Sequence, residues 1–313
     1  MNKSAYDHIS ENNTKTTILM IAFTLILIPL FGLVAFVLLY LGNSHLAPMN
    51  VIINETIDLV KRFSFVIVGA SAIWFLIVWL TGDQIMLGFS GATELTKENP
   101  ENKKIYNLVE NAALAAGLPC PKIYVIQDQS LNAFATGNSP RNASVALTSG
   151  IIEKLNSREL QGVIAHELGH IGNRDIRLNM IMISGISVFG LIGDFCFRMS
   201  GGSKKNNNVF FMAIGITFLL FHFIVAPLLQ LAVSRTREYA ADATAALITR
   251  DPKALASALK KISMDSRVES LDSSKTMAIA CIHTPLATNT LSFFSLMSTH
   301  PPIQERIRRL ENM

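Results

Sequence analysis

Apolar and polar positions fall in long blocks along this chain. Thr17 to Leu41 is almost wholly apolar and carries no charge, enough to cross a hydrocarbon layer of roughly 30 Å as a helix. It is too long for the apolar core of a cleaved signal peptide. A polar connection, Gly42 to Arg62, leads to a second uncharged run, Phe63 to Leu80. Trp74 and Trp79 lie towards its far end, where indole rings suit the headgroup belt. A third run, Leu178 to Phe197, is interrupted by Asp194, and a fourth, Val209 to Val233, contains His222 and Pro227. GGSKKNNN (Gly201–Asn208) is a polar turn between them. The pattern predicts about four transmembrane helices. Runs three and four have a second reading, a hairpin dipping into the bilayer, because a carboxylate is costly at depth.

The segments between and after the runs read as water-exposed. Asn102 to Ala116 has helical spacing and stops at Gly117; Lys122–Gln127 and Ser144–Thr148 are β-rich, with NAFATG (Asn132–Gly137) between them. Ser234 to Ile248 is predicted helical, Asp251-Pro252-Lys253 starts another helix, and a Pro-initiated helix ends the chain. The expected class is α+β: a mainly helical integral membrane protein with a small β-sheet. The expected division is 1–81 (two spans), 82–177 (water-exposed), 178–233 (two membrane-inserted helices) and 234–313 (water-exposed).

Composition narrows the partners. Half the residues are hydrophobic and 16% are charged, against about 25% charged in an ordinary soluble domain. A net charge of +4 fits membrane flanks. No Lys/Arg block interleaved with aromatics occurs, so a nucleic-acid partner is not expected. Three cysteines without a C-x-x-C predict reduced thiols, and neither a disulfide framework nor a cysteine-ligated metal.

The chemistry concentrates in NSRELQGVIAHELGHIGNRD (Asn156–Asp175). Asn156 and Glu159 are spaced as a capping box. Leu160, Val163, Ile164, Leu168 and Ile171 keep helical spacing, and Gly172-Asn173 is a stop. Inside lies H-E-x-x-H. Residues four apart share a helix face, so His166 and His170 can point at one ion, and Glu167 lies close enough to serve as a general base. A catalytic zinc takes three protein ligands and leaves one position for water. The best third candidate lies in SRTREYAAD (Ser234–Asp242), where Glu238 and Asp242 are again four apart. Glu238 would complete a His-His-Glu set, and Asp242 would accept the outer N–H of one imidazole, most simply His166. The other reading of that pair is a surface helix whose charges meet Arg235 and Arg237. His300, held by Pro301-Pro302, is either a candidate oxyanion donor or a turn histidine. His222 and His283 carry no assigned role.

Taken in order, HELGH, two apolar runs, SRTREYAAD and STHPPIQERI (Ser298–Ile307) resemble the HtpX-type membrane zinc metallopeptidases, relatives of the CAAX prenyl proteases. The resemblance covers nearly the whole chain. It implies a zincin-like catalytic domain with one zinc ion per chain held by His166, His170 and Glu238, and Glu167 as the catalytic residue. It implies that NAFATG is the substrate-edge strand, with Asn132, Ala133, Phe134 and Ala135 pairing with the peptide backbone. It also implies a bacterial inner-membrane enzyme with its active site in the cytoplasm, degrading misfolded or damaged membrane proteins in stress-related quality control. The partners are then the lipid bilayer and unfolded polypeptides. An even number of spans with Lys and Arg concentrated on the side of 82–177 agrees with a cytoplasmic active site. Two other functions share these motifs, a CAAX-type processing peptidase and a non-catalytic zinc-binding scaffold, and the intact Glu167 disfavours the second.

Overall fold

The structure is a computed structural model and describes residues 5–42, 47–97, 99, 102–201, 210–219, 235–264 and 302–313. In chain order the helices are α1 (Ala5–Gly42), α2 (Met49–Phe89), α3 (Lys103–Ala115), α4 (Ser149–Lys154), α5 (Ser157–Gly172), α6 (Asp175–Gly201), α7 (Phe210–Leu219), α8 (Arg235–Thr249), α9 (Pro252–Met264) and α10 (Ile303–Glu311). The strands are β1 (Thr93–Glu94), β2 (Lys122–Ile126), β3 (Ala133–Gly137) and β4 (Ala143–Thr148). They fall into two compact units. One holds Met1–Lys15, Leu80–Ile183 and Gln230–Met313, and the other Thr16–Trp79 and Ser184–Leu229. Of the described residues, the start of α1 up to Lys15 clusters with the strands and with α5.

The apolar unit is built on an α1–α2 hairpin. Phe23 meets Phe75 edge-on at 5.4 Å and Phe31 meets Phe63 at 5.7 Å, while the Thr24 and Ser71 hydroxyls pair at 3.1 Å. Phe65, Ile73 and Leu25 point outward and are 85%, 61% and 60% exposed, which suits hydrocarbon rather than water as the surrounding solvent. Among the described residues, α1 and α2 are the helices long and apolar enough to cross a membrane. The third run lies in α6, whose Phe189 packs on Phe23 and on Phe218 of α7. Asp194 pairs with Arg198 one turn on, at 2.8 Å. Residues 220–233, with His222 and Pro227, lie outside the described residues, so the described chain carries two clear spans against the expected four. The polar connection after the first span is also shorter than expected. α2 starts at Met49, because Met49–Arg62 contains neither Gly nor Pro and Pro48 supplies the first turn's carbonyl acceptor.

The other unit places four strands in the order β1-β2-β4-β3. β2 and β4 are parallel, and β3 returns antiparallel to β4 with Ala133 opposite Leu147 and Ala135 opposite Val145. β3 is therefore an edge strand. The β3–β4 turn depends on Gly137, at φ 131°, where a Cβ would stand 2.2 Å from the Asn142 carbonyl oxygen. Side chains of Ala133, Ala135, Val145 and Leu147 join Val163, Ile164 and Leu168 of α5 in one buried core. The capping box forms as expected: Asn156 Oδ1 accepts from the Glu159 amide at 3.0 Å, and Glu159 Oε2 accepts from the Asn156 amide at 2.9 Å.

Candidate metal centre

α5 carries His166, Glu167 and His170 on a segment buried on all sides. α8 crosses it at Gly169, where a Cβ would come within 3.2 Å of Ala241 Cα. That missing side chain lets α8 lie close enough for Glu238 to reach the histidines. His166 Nε2 and His170 Nε2 are 3.2 Å apart, and Glu238 oxygens lie 3.7 Å and 3.5 Å from them. Ligand atoms of all three residues fall within 4.8 Å of one another.

The outer ring nitrogens explain why the inner ones converge. His170 Nδ1 sits 2.8 Å from Asp175 Oδ2, and His166 Nδ1 sits 3.0 Å from Asp242 Oδ1. An ionised carboxylate only accepts, so each Nδ1 carries a hydrogen, and each Nε2 presents a lone pair once its own proton is displaced. Two ring nitrogens and a carboxylate pointed at one buried space call for positive charge between them, from protons on the imidazoles or from a metal ion that displaces them, with Arg306 Nη2 3.3 Å from His166 Nε2 at the edge. Two nitrogens bound tetrahedrally at about 2.0–2.1 Å from zinc would stand roughly 3.3 Å apart, close to the spacing here. Charge agrees. With both imidazoles neutral, as metal ligands must be, the buried carboxylates of Glu167, Asp175, Glu238 and Asp242 outnumber the buried guanidiniums of Arg237 and Arg306 by a formal excess that one divalent cation would cancel. The residues present thus fit a divalent metal.

Arg306 closes the centre from α10. It is 1% exposed and grips Asp242 in a fork, Nε to Oδ2 at 2.9 Å and Nη2 to Oδ1 at 2.6 Å, with Nη1 3.3 Å from Glu238. Burial pushes the Asp242 carboxyl up, but the Arg306 guanidinium and the His166 bond outweigh it and hold the group at about 2. Burial and Arg306 push His166 down, and the bonds to Asp242 and Glu238 override them, up to about 9. His170 is likewise raised: burial lowers it, and Glu238 and Asp175 overcome that.

The structure thus brings together His166, Glu167, His170, Glu238 and Asp242, five of the residues singled out from sequence. His300 and His283 lie outside the described residues. Asn132, Ala133, Phe134 and Ala135 lie at the sheet edge. There the Thr148 amide donates to the Asn132 carbonyl at 3.0 Å, so Asn132, Phe134 and Thr136 bond to β4. The alternation of an antiparallel pair then turns the backbone groups of Ala133 and Ala135 outward. The Ala133 amide is already taken by Asn132 Oδ1 at 2.8 Å. The backbone groups of Asn132 and Phe134 are therefore turned to β4 rather than to the open edge, contrary to their place in the sequence expectation. Asp175, Arg306, Arg237 and Asn12 were missed. Arg306 did leave a signal: it lies on the apolar stripe of α10, with Ile303, Ile307 and Leu310.

A model of peptidase family M48 matches residues 99–313. A curated protease HtpX homolog of Bacteroides fragilis is 37% identical over 313 residues, covering 96% of each chain. A protease HtpX homolog of Tropheryma whipplei is 46% identical over 227 residues, 72% of this chain and 76% of its own. A third, from Streptococcus uberis, is 36% identical over 98% of this chain and 99% of its own. The crystal structure of S. mikatae Ste24p aligns with 95% of this chain and 67% of its own at 22% identity and a TM-score of 0.46. With its metal-binding geometry on a capped, buried helix and a family match over more than half its length, the chain belongs to peptidase family M48.

Proposed function

We propose that this membrane-bound metallopeptidase is a zinc endopeptidase that cuts misfolded or damaged membrane proteins, working in a bacterial inner membrane with its centre facing the cytoplasm. The observation that carries the reading is the convergence of two Nε2 lone pairs and the Glu238 carboxylate, each imidazole pinned from behind by a buried aspartate. His166, His170 and Glu238 hold the metal. Asp242 and Asp175 fix the ring tautomers and raise ligand basicity. Zinc, when bound, supplies Lewis-acid polarisation of the scissile carbonyl and of the attacking water. Glu167 accepts the water proton on its carboxylate and returns it to the leaving amine nitrogen. His300 remains the proposed donor to the carbonyl oxygen as charge builds there.

The substrate is proposed to add a strand to β3, which suits loose side-chain preference because main-chain groups do the binding. Support comes from the register: the Ala133 carbonyl and the Ala135 amide and carbonyl face away from β4. Casein cleavage by the full chain in detergent, with and without phenanthroline, tests the reading alongside Glu167→Gln. Cleavage should stop with chelator and fall about 10²–10⁴-fold in Glu167→Gln while the metal stays bound. Full activity in Glu167→Gln would overturn the assignment of the base.

A further inference from the structure

We infer that the polar turns at the start of α1 are part of the metal centre, with Asn12 acting as a positioning residue for His170 through Asp175. This rests on the reading of His170 as a metal ligand. Asn12 is 3% exposed and lies 163 residues from its partner in sequence. Its side-chain amide nitrogen spends both hydrogens: one goes to Asp175 Oδ1 at 2.7 Å and the other to the Asn173 carbonyl at 2.9 Å. Asp175 uses its other oxygen on His170 Nδ1 at 2.8 Å. The nearest alternative support on the Oδ1 side is Arg237, at 3.4 Å. Asn12 is thus the tighter of the two contacts that set the direction of the carboxylate orienting His170.

The turn it clasps is strained. Asn173 ends α5, Asp175 begins α6, and Arg174 between them sits at φ 60°. A non-glycine residue is disfavoured in that region and persists where surrounding contacts hold it. The strained residue folds Asp175 back beneath a histidine only five positions earlier. Asn12 bonds to the residues on both sides of it. The next residue of α1 has a different task. Asn13 Oδ1 accepts from Arg177 Nη1 at 3.1 Å, and Arg177 Nε donates to the Asn138 carbonyl at 2.9 Å, just beyond β3. Neighbouring side chains of one helix turn therefore separate two effects, Asn12 on the metal side and Asn13 on the strand side.

The test uses the full-length chain in detergent and zinc affinity by competition with a chromophoric chelator. A residue that directly orients a ligand changes metal affinity about 10–100-fold, so one step further out Asn12→Ala should weaken zinc about threefold to tenfold. Asn13→Ala, which also removes an α1 contact, should leave the affinity within about twofold. The visible absorption of the cobalt-loaded protein should shift in Asn12→Ala and stay put in Asn13→Ala. If Asn12→Ala does not fold, Asn12→Leu, which keeps the branching at Cγ and favours the helix, decides in its place. Wild-type zinc affinity in a folded Asn12 variant would overturn the inference. So would equal weakening by Asn13→Ala, which would mean general docking of α1. His170→Ala separates the two levels: if it leaves zinc affinity unchanged, the metal-centre reading itself fails. If it abolishes binding while Asn12 variants bind normally, only the role of Asn12 fails.

Discussion

Arg306→Met removes the cation that keeps a buried carboxylate in place. The side chain is 1% exposed, and Asp242, its fork partner, is 3% exposed. Breaking a buried pair by deleting one partner strands the other charge, at about 3–5 kcal/mol. For a unit of this size each kcal/mol moves the melting temperature by about 2–4 °C, so the metal-free protein should melt roughly 6–20 °C lower. Replacing both partners removes the stranded charge, so Arg306→Met with Asp242→Asn should lose less than the two single changes added together. Acid behaviour gives a second reading of the same contact. Asp242 is held at about 2, below its ordinary 3.8, so its contribution is present above pH about 4 and is lost as pH falls towards 2. In Arg306→Met that loss should begin at higher pH. Thermal melts of the chelator-treated protein in detergent from pH 3 to 7 measure both. A melting temperature within about 2 °C of wild type at pH 7 would refute the reasoning.

Ala135→Pro removes an outward amide and should lower casein cleavage while zinc content holds, whereas Phe134→Pro removes a β3–β4 bond and should lower the melting temperature; equal melts for the two would contradict the register. Because His166 is raised to about 9, its contribution to the metal-free protein is full below pH about 6.5 and is lost as pH rises through 9. Protons compete with metal for the same nitrogens, so apparent zinc affinity should climb over that range, and a flat titration would count against it. Asn156→Ala removes the Oδ1 arm of the capping box at the start of α5, leaving the backbone amide on Glu159, and should cost about 1 kcal/mol, read by denaturant midpoint.

What could be read from sequence was what short spacing encodes. The capping box, the paired histidines and the Glu238/Asp242 pair each lie within one helical turn, so local geometry settles their relative placement. The spans α1 and α2 were legible because twenty apolar residues have few alternatives. The boundary of α2 was not, since charged residues in Met49–Arg62 looked like a connection while their backbone preference was helical. Arg306 reaches Asp242 across 64 residues and Asn12 reaches Asp175 across 163, and no local rule links them. Asp175 is only five positions from His170, yet their contact needs Arg174 in a conformation its residue type disfavours. The edge register was also out of reach. Which alternate amides of β3 face outward depends on how Asn132 meets Thr148, not on the sequence of NAFATG alone.

Metal stoichiometry tests the centre most directly. Mass measurement on the purified full-length protein should find one zinc per chain, bound by two nitrogen ligands and an oxygen at about 2.0–2.2 Å in zinc-edge X-ray absorption. Glu238→Ala should remove the oxygen and most of the metal. Zinc retained in full by Glu238→Ala, with an unchanged absorption spectrum, would contradict the account.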